Sequence, residues 1–466
     1  MSKGERKLHA RVNKKMDIFI VTALSLLYLL NGLDRGNIGN AETGGYSKDV
    51  GMSPTSINNA TSLFFITFIC FQPVSAALGK RVGARYWIPF LMVCWGAFTI
   101  AHAFVKSEGM LIALRLMIGV FEAGFYPCAV YYLSSCYIRW DLARRLALFY
   151  GMYAVSGAFS GVIAYYLLQI SAGQLRGWQY LFIVEGALTV TFAILAYFWL
   201  PQHPNTAFFL NQEERMWAVE RISRDSGGKD GFSQTLTKKD LVEAARDWKF
   251  WLLLPCNIAA STPSQAFSVF LPIIVEDLGH TSYHANLMSV PIYAIGAIGL
   301  YAIAWDSDRK QERGHHIALS LAFVFVGLIM VIEIANAKGR YAGLCVLQIG
   351  SYTAPPLVAA WLANNTPEPG KRAIVLGLNG WGNLAGVIGS QLFKPRYGPR
   401  YRMPFFVCLG INIFSVAGFF CYRMLLDQVN KRRATQLYEM SEDEIIQERS
   451  GDERLGDKNL TFQYSL

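Results

Sequence analysis

Twelve apolar stretches, each about 18 to 25 residues long, divide this 466-residue chain, and that is the length an α-helix needs to cross a hydrocarbon core about 30 Å thick. None of them alternates with the period of two that marks a barrel strand, so a helical bundle is expected. Only 16% of the residues are charged and 53% are hydrophobic, far from the roughly one-quarter charged fraction of a soluble globular domain. The expected class is an all-α membrane protein of twelve transmembrane helices in two six-helix bundles.

The polarity of the connections supplies the domain plan. Residues 1–16 form a basic amino-terminal segment, 17–200 a first bundle, 201–248 a polar linker, 249–426 a second bundle and 427–466 a polar tail. The linker, with Glu213, Glu214, Arg215 and Arg221, is too hydrophilic to span and suits short amphipathic helices. The tail from Asn430 onward reads as disordered. A long charged loop between two sets of six spans is the outline of a secondary transporter built from two repeats around a central cavity.

A formal charge of +10 raises the possibility of a nucleic-acid partner, but most of the 43 Lys and Arg residues fall in alternate loops and at the two ends. That is the positive-inside pattern, which puts both termini in the cytoplasm and makes the bilayer the partner. The loop with Lys394, Arg396, Arg400 and Arg402 is the exception, a candidate functional rim on the far side. The eight cysteines form no Cys-x-x-Cys pair, so neither a metal site nor a disulfide framework is expected. No nucleophile elbow, His-Glu-x-x-His motif or phosphate loop is present, so the chain reads as neither an enzyme nor a cofactor protein. The basic start leads into a full-length apolar span without a small-residue cleavage site, which reads as a retained first helix, and a monomer is expected.

The chemistry lies where charge interrupts the apolar runs. Arg115 and Glu122 stand seven residues apart, about two helical turns, and so share a face of the fourth span. An ionised carboxylate in hydrocarbon costs roughly 2.5 kcal/mol or more, which favours a bundle-facing position, a wet cavity or a bound proton. Asp34 and Arg35 are neighbours in the first span, about 100° apart around the helix, so each must meet a different partner. In the eleventh span Asn379 and Asn383 lie on a glycine-rich face, able to bond a neighbouring helix or a ligand. Glu185 in the sixth span reads as a structural carboxylate satisfied by a partner, and His102 as a helix-end residue. Gly157 and Gly161 make a G-x-x-x-G packing face, while Pro263 and the pair Pro355-Pro356 mark bends.

These letters together form a pattern. Leu33-Asp34-Arg35-Gly-Asn37, Arg115-x6-Glu122-Ala-Gly-x2-Pro127, Gly177-Trp178-x2-Leu181-Phe-Ile-x-Glu185-Gly186 and Leu200-Pro201 resemble the anion:cation symporter family of the major facilitator superfamily, in its fungal branch of allantoate, nicotinate and pantothenate permeases. The resemblance covers about residues 17 to 426. It implies proton-coupled uptake of a small organic anion by alternating access, with the acidic-basic pair of the first span and the fourth-span glutamate in coupling and anion binding. Asp34 and Arg35 match that pair, and Glu122 and Arg115 match the fourth-span positions. The first half's inner hairpin, Gly79-Lys80-Arg81-Val-Gly83, departs from the superfamily's usual acidic motif.

A carrier of this kind needs a fixed cation for its cargo and a carboxylate that gains and loses a proton. Arg35, Asn379, Asn383 and Tyr126 are therefore the expected binding set, and Asp34, Glu122 and Arg115 the expected proton-coupling set. A proton-antiport exporter of a fungal metabolite would use the same architecture. A nutrient sensor would carry a longer extension than the roughly 40 residues after Leu426, a length that follows from the span limits.

Overall fold

The computed structural model describes residues 3–170, 174–225, 238–280, 282–440, 457 and 459–466. Part of the predicted linker, residues 226–237, and most of the tail between 441 and 458 lie outside the described residues. Among those described, twelve helical stretches are long and apolar enough to cross a membrane. The first half holds spans 1 to 6, at Gly4–Thr43, Ser56–Val82, Ala84–Phe104, Glu108–Cys136, Leu148–Leu167 and Gly177–Trp199. The second holds spans 7 to 12, at Trp248–Glu276, Tyr283–Lys310, Gly314–Glu333, Ala337–Asn364, Gly370–Leu392 and Arg402–Glu439.

Several ends are set by local chemistry. The Ser107 hydroxyl accepts from the Met110 amide to start span 4, and the Asp247 carboxylate accepts from the Lys249 amide to start span 7. Span 4 breaks at Ala123–Gly124, where a Cβ on Gly124 would fall 1.8 Å from Ser75 Oγ, and resumes as Phe125–Cys136. Span 11 tightens into a 3-10 turn at Gly380–Asn383. The linker helices expected from the sequence are present at Gln212–Asp225 and Lys238–Ala245.

The packing repeats. Span 3 lies on span 6, span 2 on span 4 and span 1 on span 5; six spans on, 9 lies on 12, 8 on 10 and 7 on 11. The halves meet along spans 5 and 8, 2 and 11, and 1 and 7, pairs that a two-fold exchange of the halves carries into one another. Glycines allow this contact to be close: a Cβ on Gly157 would sit 2.5 Å from the Tyr293 ring, and one on Gly39 only 1.7 Å from the Val269 carbonyl oxygen.

Hydrogen bonds between the halves gather at the end of the bundle away from the termini. Asn58 donates to the Ser390 carbonyl at 2.6 Å, the Ser62 and Ser390 hydroxyls meet at 2.6 Å, and Asn286 donates to Thr43 at 2.8 Å. On the terminal face each half is braced separately. In the first, helix Lys3–Met16 continues into span 1 through a single π turn at Asp17–Val21, so residue 16 marks no break in the rod. Arg221 of the linker helix donates to Asn13 at 2.6 Å and to the Cys136 carbonyl at 2.9 Å, Lys15 meets Glu214 at 2.7 Å, and Arg145 meets Asp17 at 2.7 Å.

The tail departs from the sequence reading. Span 12 stays helical to Glu439, and residues 459–466 fold back under the second half. Asp457 lies between Lys249 and Lys371, Trp361 donates to the Ser465 carbonyl at 2.8 Å, and Asn430 donates to the Tyr464 carbonyl at 2.9 Å. Polar composition suggested a solvated strand of chain; the partners that order it lie up to about two hundred residues upstream, beyond the reach of any local pattern.

Candidate functional site

The first span delivers its two charges to different places, as adjacency on a helix demands. Asp34 points into the first half, where its Oδ2 accepts from Trp95 Nε1 at 2.9 Å and Thr189 Oγ1 at 2.8 Å. Arg35 points toward span 4, where its Nε donates to Oε1 of Glu122. The helix runs on past both to Thr43, so the pair lies within the first helix, about two turns before its end.

Arg35 is walled by rings. Its guanidinium carbon stands 4.7 Å from the Phe68 centroid, 5.6 Å from that of Tyr153 and 5.7 Å from that of Phe64. Among the described residues its two terminal nitrogens make no hydrogen bond, so the fork that grips a carboxylate is free. Glu122 is buried, and among the described residues no donor meets its second oxygen at good geometry, the Asn31 side chain lying beside the carboxylate.

Beside this pair lies a small cavity of about 10 Å³, the room of a single water, between the halves, lined by Gly32, Gly36 and Tyr153 from the first half and by Ser268, Tyr293 and Tyr352 from the second, with Asn40, Ser156, Gly157 and Ser160 completing the wall. Tyr153 belongs to both the cavity and the ring wall around Arg35. An aromatic group extends from it: Tyr28 stacks on Phe149 at 4.5 Å and lies 5.5 Å from Tyr153, while Tyr126 lies 5.8 Å from Tyr28 and 6.0 Å from Phe149.

The other expected residues separate from this centre. Arg115 is buried within the first half, donating from Nη2 to Asn37 Oδ1 at 3.0 Å. Asn379 accepts from Asn257 at 3.0 Å and Asn383 from Gln265 at 3.2 Å, so both asparagines of span 11 are tied to span 7. His102 donates from its ring to the Phe98 carbonyl at 2.8 Å at the end of its helix, the expected helix-end arrangement. Glu185 is buried beside the Asn37 and Ser160 side chains, and among the described residues no donor meets either carboxylate oxygen at good hydrogen-bond geometry. Tyr153, Ser268, Tyr293 and Tyr352 escaped the sequence reading because nothing in an isolated apolar helix marks which of its tyrosines and serines faces the other half.

Comparison with known proteins agrees with the architecture. Residues 24–390 match the Major Facilitator Superfamily. The chain is 33% identical over 462 residues to the high-affinity nicotinic acid transporter of Saccharomyces cerevisiae, covering 98% of this chain and 85% of that one. It is 34% identical to the MFS-type transporter efuF of Hormonema carpetanum, covering 88% and 85% respectively. In fold it resembles a bacterial homologue of the human lysosomal transporter Spinster in an inward-facing, unoccupied conformation, at a TM-score of 0.68 and 15% identity over 91% of this chain and 98% of that one. It also resembles the xylose transporter XylE of E. coli in a partially occluded inward-open conformation, at a TM-score of 0.65 and 12% identity over 86% and 97%. A family match across most of the chain, full-length fungal relatives and two six-span halves closing on one cavity lead to one conclusion: this chain belongs to the Major Facilitator Superfamily and is a multi-pass membrane transporter.

Proposed function

We propose that the protein carries a small organic anion together with a proton, with both termini in the cytoplasm and the plasma membrane as its site. The observation that carries this reading is the Arg35–Glu122 pair beside the cavity, with the far edge of the guanidinium unengaged. A carboxylate cargo entering the cavity competes with Glu122 for Arg35 through two parallel hydrogen bonds. Glu122, once released, is a buried carboxylate that has lost its paired cation, and in apolar surroundings its neutral form is the cheaper one. Anion binding therefore draws in a proton, and the loaded site stays electrically balanced.

The rings of Phe64, Phe68, Tyr153 and Tyr28 favour a flat cargo that stacks while its carboxylate meets Arg35. The nicotinic acid transporter among the relatives supports the same class, a planar monocarboxylate. Asp34 and Arg115 act from behind this centre by setting the field in the first half, and Asn379 and Asn383 act by shaping span 11 against span 7. Basic residues at the terminal face support the cytoplasmic assignment.

The test is uptake, in cells expressing the chain, of a labelled panel containing nicotinate, benzoate, aliphatic monocarboxylates and ureido acids at pH 5 and pH 8. The expected result is acid-stimulated accumulation of a ring monocarboxylate that a protonophore collapses. Accumulation indifferent to the protonophore would overturn the coupling, and alkalinisation of the side receiving the cargo would indicate proton antiport.

A further inference from the structure

Glu185 is buried at 1% exposure inside the first half, and no donor reaches either of its oxygens at hydrogen-bonding geometry. Its polar neighbours are Asn37 of span 1 and Ser160 of span 5, and it interacts electrostatically with Asp34 of span 1 and Arg115 of span 4. Arg115 in turn feels Tyr46, Glu122, Asp34 and Glu185, and His102 of span 3 feels Arg115. These groups form one buried cluster whose charge can be counted.

Three carboxyl groups, Asp34, Glu122 and Glu185, face two guanidinium groups, Arg35 and Arg115. His102 adds nothing to the balance, because one ring nitrogen donates to the Phe98 carbonyl and the other meets no partner, the pattern of a neutral ring. With every acid ionised the cluster carries one uncompensated negative charge away from water, which is costly. One proton restores neutrality.

The hydrogen bonds say which acid holds it. Glu122 is paired with Arg35, and Asp34 accepts from Trp95 and Thr189, both of which suit an ionised carboxylate. Glu185 has no cation against it and, among the described residues, no donor at good geometry, only the Asn37 and Ser160 side chains beside it. We infer that Glu185 is a second proton-binding site, protonated while the halves are closed at the face away from the termini, and linked through Arg115 to the Asp34 and Glu122 carboxylates.

The assignment of the proton stands on charge balance and on the partners of the three acids; its use in transport rests on the proton-coupled reading above. Infrared spectroscopy of the purified full-length protein at neutral pH separates the two. The expected spectrum contains the carbonyl stretch of a protonated, buried carboxyl group, shifted in frequency in Glu185→Asp and unshifted in Glu122→Asp and Asp34→Glu, each of which keeps the charge count. A band left at its wild-type frequency in Glu185→Asp, or no such band in the wild type, would overturn the assignment. Should Glu185→Asp not be recovered in folded form, an unshifted band in both Glu122→Asp and Asp34→Glu supports the assignment and a shift of the band in either refutes it. For transport, Glu185→Gln removes one proton site of the cluster while Glu122 still exchanges its own, so the ratio of nicotinate uptake at pH 5 to that at pH 8 should shrink by about twofold or more relative to wild type. A wild type that moves no protons with its cargo would sink the coupled reading and leave the infrared result standing, whereas an unchanged pH ratio in Glu185→Gln would remove this residue from the transport cycle.

Discussion

At the scale of single residues, the account depends on a guanidinium that has two possible partners. Arg35 is held by one nitrogen to Glu122 and is otherwise surrounded by rings, so its charge is positioned without being used up. Arg35→Ala should abolish binding of the transported anion. Arg35→Lys keeps the charge but loses the planar fork, and a tenfold or greater rise in KM is expected, about 1.4 kcal/mol or more. Initial rates over a range of cargo concentration check both, and a KM unchanged in Arg35→Lys would show that geometry at this position is unimportant. The presence of these charges was legible in the sequence, because an ionisable residue in an apolar run stands out. Which acid meets which base was not: Arg115 and Glu122 share a face of one helix, yet Glu122 pairs with Arg35 of span 1 while Arg115 pairs with Asn37. Glu185 was read as satisfied by a partner, and the structure places Asn37 and Ser160 beside it without a cation or a well-aligned donor among the described residues.

At the scale of elements, the ends of the helices carry the information the apolar runs lack. The returning tail pins the starts of spans 7 and 11 through Asp457, which touches both Lys249 and Lys371. Burial alone would raise the pKa of Asp457, but the two ammonium groups outweigh it and hold the carboxyl down at about 2, against an ordinary 3.8. The sign follows from linkage. A carboxyl whose pKa is lowered by folding stabilises the fold fully above the ordinary value, and that contribution fades as pH falls from about 4 toward 2. Asp457→Asn should therefore lower the melting temperature in detergent at pH 6, reflecting up to about 2 kcal/mol, while the difference from wild type narrows near pH 3. An equal deficit at both pH values would mean that the aspartate acts by shape and not by charge. The spans themselves were legible because length and hydropathy are local properties. The tail was not, since its order depends on Lys249, Lys371 and Trp361, residues that become its neighbours only after the second half has folded.

At the scale of the whole molecule, two halves with matching internal packing are braced independently on the terminal face and bonded to each other on the opposite face. That division suits rocking of one rigid half against the other around a fixed site. If opening of the opposite face is part of the cycle, a disulfide in place of the Ser62–Ser390 hydroxyl pair should arrest it. The double variant Ser62→Cys with Ser390→Cys is expected to lose nearly all transport under oxidising conditions and to regain it on reduction; full transport in the oxidised protein would show that this face need not part. The most direct test of the central claim, that cargo and proton exchange places at the Arg35–Glu122 pair, is transport by Glu122→Gln in proteoliposomes. The amide side chain of that variant can still accept a hydrogen bond from Arg35 but can no longer take a proton. The variant should exchange labelled for unlabelled cargo across the membrane yet fail to accumulate it when an inward proton gradient is imposed. Uphill accumulation by Glu122→Gln at the wild-type level would contradict the account.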